Sequence, residues 1–69
     1  MPYDEQKMPM DKFTRREKCV AVCLINGISR TVIAQTLGLS EHTVKAHTRN
    51  IYRKAEVKNQ KMFMAKYLI

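Results

Sequence analysis

Between Ser40 and Lys54 the chain reads SEHTVKAHTRNIYRK. Laid out at about 100° per residue, Val44, Thr48, Ile51 and Ala55 fall in one narrow sector, while His42, Lys45, Ala46, Arg49 and Arg53 fall on the far side. A helix divided in this way has to lay its apolar sector on a core and leave its cationic sector outside. The rest of the chain must therefore supply short elements that build a core against one face of this segment. Among the outward residues Ala46 is short, which lets a flat surface such as the base edges of a major groove come close to the helix backbone.

The flanking segments read as three more helices. Thr14-Arg15-Arg16-Glu17 has the T-x-x-E layout of a capping box, in which the Thr hydroxyl accepts from the N3 amide and the Glu carboxylate accepts from the cap amide. A helix over about residues 15–26 follows Phe13, with Val20, Cys23 and Leu24 on one face and Gly27 where a left-handed terminator is wanted. Ser29 can cap a shorter helix over residues 30–37, where Ile33, Ala34 and Leu37 recur at helical spacing. Gly38 ends it, Leu39 can point inward across the turn, and Ser40 caps the third helix, residues 41–55. Asn59 can cap a fourth, over about residues 60–68, with two apolar stripes: Phe63, Met64 and Tyr67 on one, Met62, Ala65 and Ile69 on the other. One stripe closes the domain's own core, and the other points to self-association through Met62, Ala65 and Ile69. The expectation is an all-α, four-helix fold over residues 13–69 with a helix-turn-helix at 29–54. Residues 1–12 (MPYDEQKMPMDK) hold both prolines, mixed charges and few periodic apolar positions, and read as a flexible arm.

A chain of 69 residues has room for one small domain, burying only about 60% of the surface that its unfolded chain exposes. The formal charge is +7, and its distribution says more than its size. Residues 1–44 hold six basic and five acidic side chains; residues 45–69 hold seven basic ones and only Glu56. Charge concentrated in and after one helix makes a directed positive potential, the electrostatic footprint of a nucleic-acid binder. No apolar run approaches the roughly 20 residues needed to cross a bilayer. The longest, Cys19 to Ile25, is internal and lacks a signal-peptide layout, so the expected location is cytoplasmic.

The chemistry-bearing residues form no catalytic pattern. There is no Gly-rich phosphate loop, no paired carboxylates in a plausible pocket and no nucleophile with an orienting base, so neither an enzyme nor a cofactor is expected. Cys19, Cys23, His42 and His47 superficially resemble a zinc set, but the two histidines are five apart, about 140° around a helix, and do not converge on one ion. The cysteines, four apart on a regular helix, have poor disulfide geometry and read as reduced, buried, small hydrophobes.

These residues carry a specific likeness. Phe13-Thr14-Arg15-Arg16-Glu17, Val20, Gly27, Ile33-Ala34, Leu37, Ser40-Glu41, Thr43-Val44-Lys45, His47, Asn50-Ile51, Lys54 and Val57 follow the pattern that marks the LuxR-type (GerE-type) helix-turn-helix DNA-binding domain, and the chain resembles that family from Phe13 to about residue 65. The resemblance implies a four-helix domain whose third helix reads the major groove and whose fourth helix forms a dimer contact. Carried over by position, it puts Lys45, Ala46 and Arg49 at base-reading positions and Thr43, Arg53 and Lys54 at backbone contacts. The family pattern has Leu-Gly after the Lys matching Lys54, where this chain has Ala55-Glu56; losing that Gly predicts a longer third helix or a different turn. Gln60 stands where Arg is common, and Phe63 where a small residue is frequent.

The function expected from both routes is a sequence-specific regulator of transcription that binds double-stranded DNA as a homodimer on paired half-sites, with RNA polymerase or another regulator as a further partner. Ser29 and Arg30 would offer helix N-terminal amides to phosphate, and His47 would sit beside the core edge with one nitrogen free for a phosphate or backbone oxygen. The other readings are a basic adaptor or anti-activator that uses the same helix against an acidic protein, and a promoter-binding module like sigma-factor region four.

Overall fold

Four helices follow one another through residues 8–67, the part of the chain that the computed structural model describes: α1 (Arg15–Ile25), α2 (Arg30–Leu37), α3 (Glu41–Ala55) and α4 (Gln60–Tyr67). Among the described residues there is no strand. Each helix starts on a residue whose side chain satisfies a first-turn amide that has no partner inside the helix. Thr14 Oγ1 accepts from the Glu17 amide at 3.2 Å while a Glu17 carboxylate oxygen accepts from the Thr14 amide at 3.0 Å, which completes the capping box. Ser29 caps α2, Ser40 caps α3, and Asn59 Oδ1 accepts from the Met62 amide at 2.8 Å at the start of α4.

α1 lies at the centre, packed against α2, α3 and α4, and α2 packs against α3. Because three helices cover it, its buried sector is wider than one stripe. Val20, Ala21, Leu24 and Ile25 are buried together with Glu17. Cys23 lies at the edge of that sector, half-buried, and Cys19 falls outside it and is exposed; both are free thiols. The expectation of two buried cysteines is thus corrected, since Ala21 and Ile25 occupy the interior instead. Ile33 and Ala34 of α2, Val44, Ile51 and Ala55 of α3, and Phe63 and Tyr67 of α4 complete the core.

Part of the expected arm belongs to this core. Met8 is buried, residues Met10–Lys12 form a single 3-10 turn, and Phe13 is buried behind them. Apolar Met8 and Met10 outweigh the disorder-promoting composition around them, because the core offers them surface to cover. Residues 1–7 lie outside the described part, as do residues 68 and 69, on which the last residue of the fourth helix and the Ile69 contact were expected.

The two turns that frame α3 solve the same problem differently. Gly38 ends α2 with φ +68°, a left-handed conformation that glycine adopts without steric penalty, and its amide bonds back to the Ala34 carbonyl. Leu39 then turns inward, half-buried against the core. At the far end α3 stops at Ala55, and Glu56 takes φ +59°, ψ +44°. The helix therefore does not run on past Ala55: Glu56 adopts the left-handed turn that a glycine would take more easily, and the Val57 amide closes it on the Tyr52 carbonyl at 2.9 Å. Burial of Ala55 and Val57 on either side holds Glu56 in a conformation that costs a non-glycine residue roughly 1–2 kcal/mol. Glu56→Gly is expected to raise stability in urea by about 0.5–1 kcal/mol, the relief of that strain less the extra freedom of the unfolded chain; an unchanged or lowered midpoint would show that Glu56 is unstrained.

α4 is tied down at both ends of its inner face. The Gln60 amide nitrogen donates to the Leu24 carbonyl (3.0 Å) and the Ile28 carbonyl (3.1 Å), satisfying acceptors at the end of α1. Lys66 Nζ donates to the Ala55 carbonyl at 2.7 Å, at the negative end of the α3 dipole. Between them Phe63 is fully buried, Tyr67 just after Lys66 is nearly so, and Met62 and Ala65 stand exposed on the opposite side.

Candidate nucleic-acid interface

The cap at Ser40 sets where α3 begins and hence which residues turn outward. Ser40 Oγ accepts from the Thr43 amide at 3.0 Å and donates to the Thr43 hydroxyl at 2.9 Å. Thr31 Oγ1 donates to a Glu41 carboxylate oxygen at 3.0 Å, bracing the start of α3 against α2. With Val44, Thr48, Ile51 and Ala55 buried below, His42, Lys45, Ala46, Arg49 and Arg53 are all exposed on one side. The structure therefore brings the three residues expected to read bases onto a single outward face.

That face is hollowed at Ala46. His42, Lys45, Ala46 and Arg49 line a small concavity, in which Ala46 is the one short side chain. Arg53 continues the row and is held by a hydrogen bond from its guanidinium to Asn50 Oδ1 at 3.1 Å. Ser29 and Arg30 sit beside it at the start of α2, and with Lys45 they line a second hollow between the two helix N-termini. Thus Arg30, Lys45, Arg49 and Arg53 converge from two helices on one side of the protein, and none of them has a carboxylate partner among the described residues. Glu41 also lines the hollow between the helix N-termini but pairs with none of them, so four cations on a small surface raise the local concentration of an anionic partner and lower that of a cationic one.

Thr43, His47 and Lys54 face differently. They lie on the flank of α3 turned toward α1, and all three are half-buried. Lys54 Nζ donates to a Glu17 carboxylate oxygen at 2.6 Å, an ion pair in which the Glu17 side chain is only 5% exposed and that of Lys54 27%. Lys54, expected at a backbone contact, is here engaged by Glu17, 37 residues earlier. Burial would push the Glu17 carboxyl up, but the Lys54 hydrogen bond, the Thr14 amide and the charges of Lys54 and His47 outweigh it and hold the group below its ordinary value. A carboxylate that is ionised, buried and paired is a structural anchor for α3 against α1.

Two residues on the cationic face escaped the sequence reading. Tyr52 lies at i+7 from Lys45, so helical spacing alone sets it on the same flank, half-buried against Phe63 with ring centroids 5.7 Å apart. Burial pushes its phenol up and the nearby Arg30 charge pulls it the other way, leaving the hydroxyl a donor at neutral pH. Lys58, in the loop after α3, has no periodic signal; only the turn at Glu56 brings it back beside Tyr52. Among the described residues no group of three or more His, Cys, Asp or Glu side chains gathers as metal ligands would, and no helix is long and apolar enough to cross a membrane.

Comparison with known proteins agrees with this geometry. Residues 11–65 match the family described as bacterial regulatory proteins, luxR family. The chain is 39% identical over 57 residues to the probable transcriptional regulatory protein SgaR of Hyphomicrobium methylovorum, covering 83% of this chain and 27% of that protein. It is 40% identical over 68 residues to the uncharacterized transcriptional regulatory protein YhcZ of Bacillus subtilis, covering 94% and 32%, and 38% identical over 58 residues to the nitrate/nitrite response regulator protein NarP of Escherichia coli, covering 84% and 27%. The chain thus spans about a quarter to a third of the length of these relatives. A capped four-helix fold with its cationic side on the third helix, matched over most of its length, means that the chain belongs to the LuxR family of bacterial regulatory proteins.

Proposed function

We propose that the protein binds double-stranded DNA in a sequence-dependent way and regulates transcription, with α3 in the major groove. The observation that carries this reading is the outward face of α3, where Lys45, Ala46 and Arg49 line one hollow and no carboxylate is paired with either cation. Lys45 and Arg49 would donate to acceptors such as guanine O6 and N7, and Ala46 would meet a thymine methyl. Arg53, with Ser29 and Arg30 at the start of α2, would neutralise phosphates that position the helix without reading sequence. Thr43 and His47, on the flank nearer α1, would reach the backbone only at the edge of the contact. Exposed Met62 and Ala65 on α4 support a homodimer, and a two-fold dimer would read paired half-sites.

Selection of bound sequences from a random duplex pool, followed by affinity measurements on the selected site and a scrambled one, tests the whole reading. Lys45→Ala and Arg49→Ala are each expected to lose about 1–3 kcal/mol on the selected site and little on the scrambled one, whereas Arg53→Ala weakens both alike. Equal losses on the two duplexes would remove Lys45 and Arg49 from base reading, and a selected site without two-fold symmetry would remove the dimer. No enrichment from the pool, with affinity for duplex flat against salt, would favour an adaptor that uses this face on an acidic protein.

A further inference from the structure

Two open grooves meet on the flank of α3 nearest α2, and they share one wall. Arg30, Thr48, Tyr52 and Lys58 line both of them. The first runs along α3 past Lys45 and Arg49; the second runs under the start of α2 toward Asn59. No carboxylate lines either groove, and neither Arg30 nor Lys58 has a hydrogen-bonding or ion-pairing partner among the described residues. At the back of the wall the Thr48 hydroxyl is buried and without a partner, in a side chain only 5% exposed. A hydroxyl buried in that state costs about 1–3 kcal/mol unless something polar reaches it. Two unpaired cations, a phenol and an unsatisfied hydroxyl on one wall make a cationic, donor-rich surface with no carboxylate.

We propose that Arg30, Tyr52 and Lys58 form a clamp for one phosphate of the DNA backbone at the edge of the contact made by α3, a site that rests on the DNA-binding reading and extends the phosphate role given there to Arg30 to two further residues, Tyr52 and Lys58. A phosphodiester offers unprotonated oxygens and one negative charge. Arg30 takes it by its fork of N–H donors, Lys58 as a point charge and Tyr52 by its hydroxyl. The start of α2 adds its dipole in the same direction. Because Lys58 reaches this wall only through the left-handed turn at Glu56, the end of α3 helps to build the clamp.

Binding to a mixed-sequence duplex of about 20 base pairs, two helical turns, followed by fluorescence anisotropy over a range of salt, provides the test. Each phosphate neutralised adds about 0.9 to the slope of log K against log salt. The double variant Arg30→Ala/Lys58→Ala is expected to flatten the slope by about that amount and each single variant by part of it, and Tyr52→Phe to weaken binding about tenfold with the slope unchanged. Lys18→Ala, an exposed cation of α1 that lines neither groove, should leave the slope as it was. Wild-type protein that binds duplex while Arg30→Ala and Lys58→Ala behave like Lys18→Ala overturns the clamp and leaves the DNA reading standing. Wild-type protein with no salt-dependent affinity for duplex overturns both. Inorganic phosphate distinguishes the other source of the same chemistry: amide shifts at Arg30 and Tyr52 that saturate well below millimolar phosphate would make the wall a free-phosphate site and overturn the backbone assignment.

Discussion

Phe63→Ala is expected to leave most of the protein unfolded at room temperature. Phe63 is fully buried on the inner face of α4, with Tyr52 of α3 at 5.7 Å and the edge of Tyr67 at 5.4 Å between ring centroids. Truncating a buried Phe to Ala costs about 3–5 kcal/mol through lost transfer energy and the cavity left behind. Loss of the two aromatic pairs adds to that by about 0.5–1.5 kcal/mol each. A domain of this size has only about 3–9 kcal/mol in total, and α4 is held otherwise by the Gln60 and Lys66 hydrogen bonds at its two ends. Helical circular dichroism during thermal melting measures the effect, and Phe63→Leu, which keeps most of the volume, should melt cooperatively a few degrees below wild type. A Phe63→Ala protein that melts like wild type would mean that α4 contributes nothing to the stability of the other three helices.

Glu17→Ala should destabilise the protein by roughly 3 kcal/mol at neutral pH. The substitution removes the acceptor of the Thr14 amide and leaves Lys54 without its partner across the α1–α3 interface. Hydrogen bonds to a charged group are worth about 1.5–3 kcal/mol each, and breaking a buried pair from one side strands the other charge; Lys54 recovers part of its hydration because it is 27% exposed. The effect is pH-dependent with a definite sign. The folded carboxyl titrates below its ordinary 4.5, so its contribution is complete above that value and fades as pH falls through the lower folded value. Urea unfolding at neutral pH and at successively lower pH below 4.5 is therefore expected to bring wild type and Glu17→Gln together, because Gln keeps the capping geometry but carries no charge. A gap between them that persists through that acid range would show that the ion pair is not what links α1 to α3.

The local punctuation of this fold was legible in the sequence because it is written in neighbouring residues. Thr14 and Glu17, Ser29, Gly38, Ser40 and Asn59 each act within four positions along the chain, and each does in the structure what its spacing requires. The outward face of α3 was legible for the same reason: Val44, Thr48 and Ile51 define a buried sector, and Lys45, Ala46 and Arg49 have no other side to occupy. Where reading went astray, the deciding neighbour was remote. Residue type alone puts Cys19 inside as a small hydrophobe, yet the three helices that cover α1 set its buried sector on Ala21 and Ile25 and leave Cys19 exposed. Met8 was read by its polar and proline-rich company, and burial against a core it does not adjoin in sequence overrode that composition.

The difference is sharpest along the helix from Ser40 to Lys54. Sequence alone determined that it is a helix, where it starts, and that Lys45, Ala46 and Arg49 share its outer face, since 3.6 residues per turn and a capping serine are local properties of the chain. Only the tertiary structure decided what each of its other cations does. Lys54, next to Arg53 in the chain, turns to Glu17 across 37 residues, and Lys58 swings back beside Tyr52 because Glu56 takes a left-handed turn. Periodicity sets the direction of a side chain about its own helix axis, whereas its partner depends on how separate helices dock, and that is settled by the burial of residues such as Ala21, Ile33 and Phe63 on other helices.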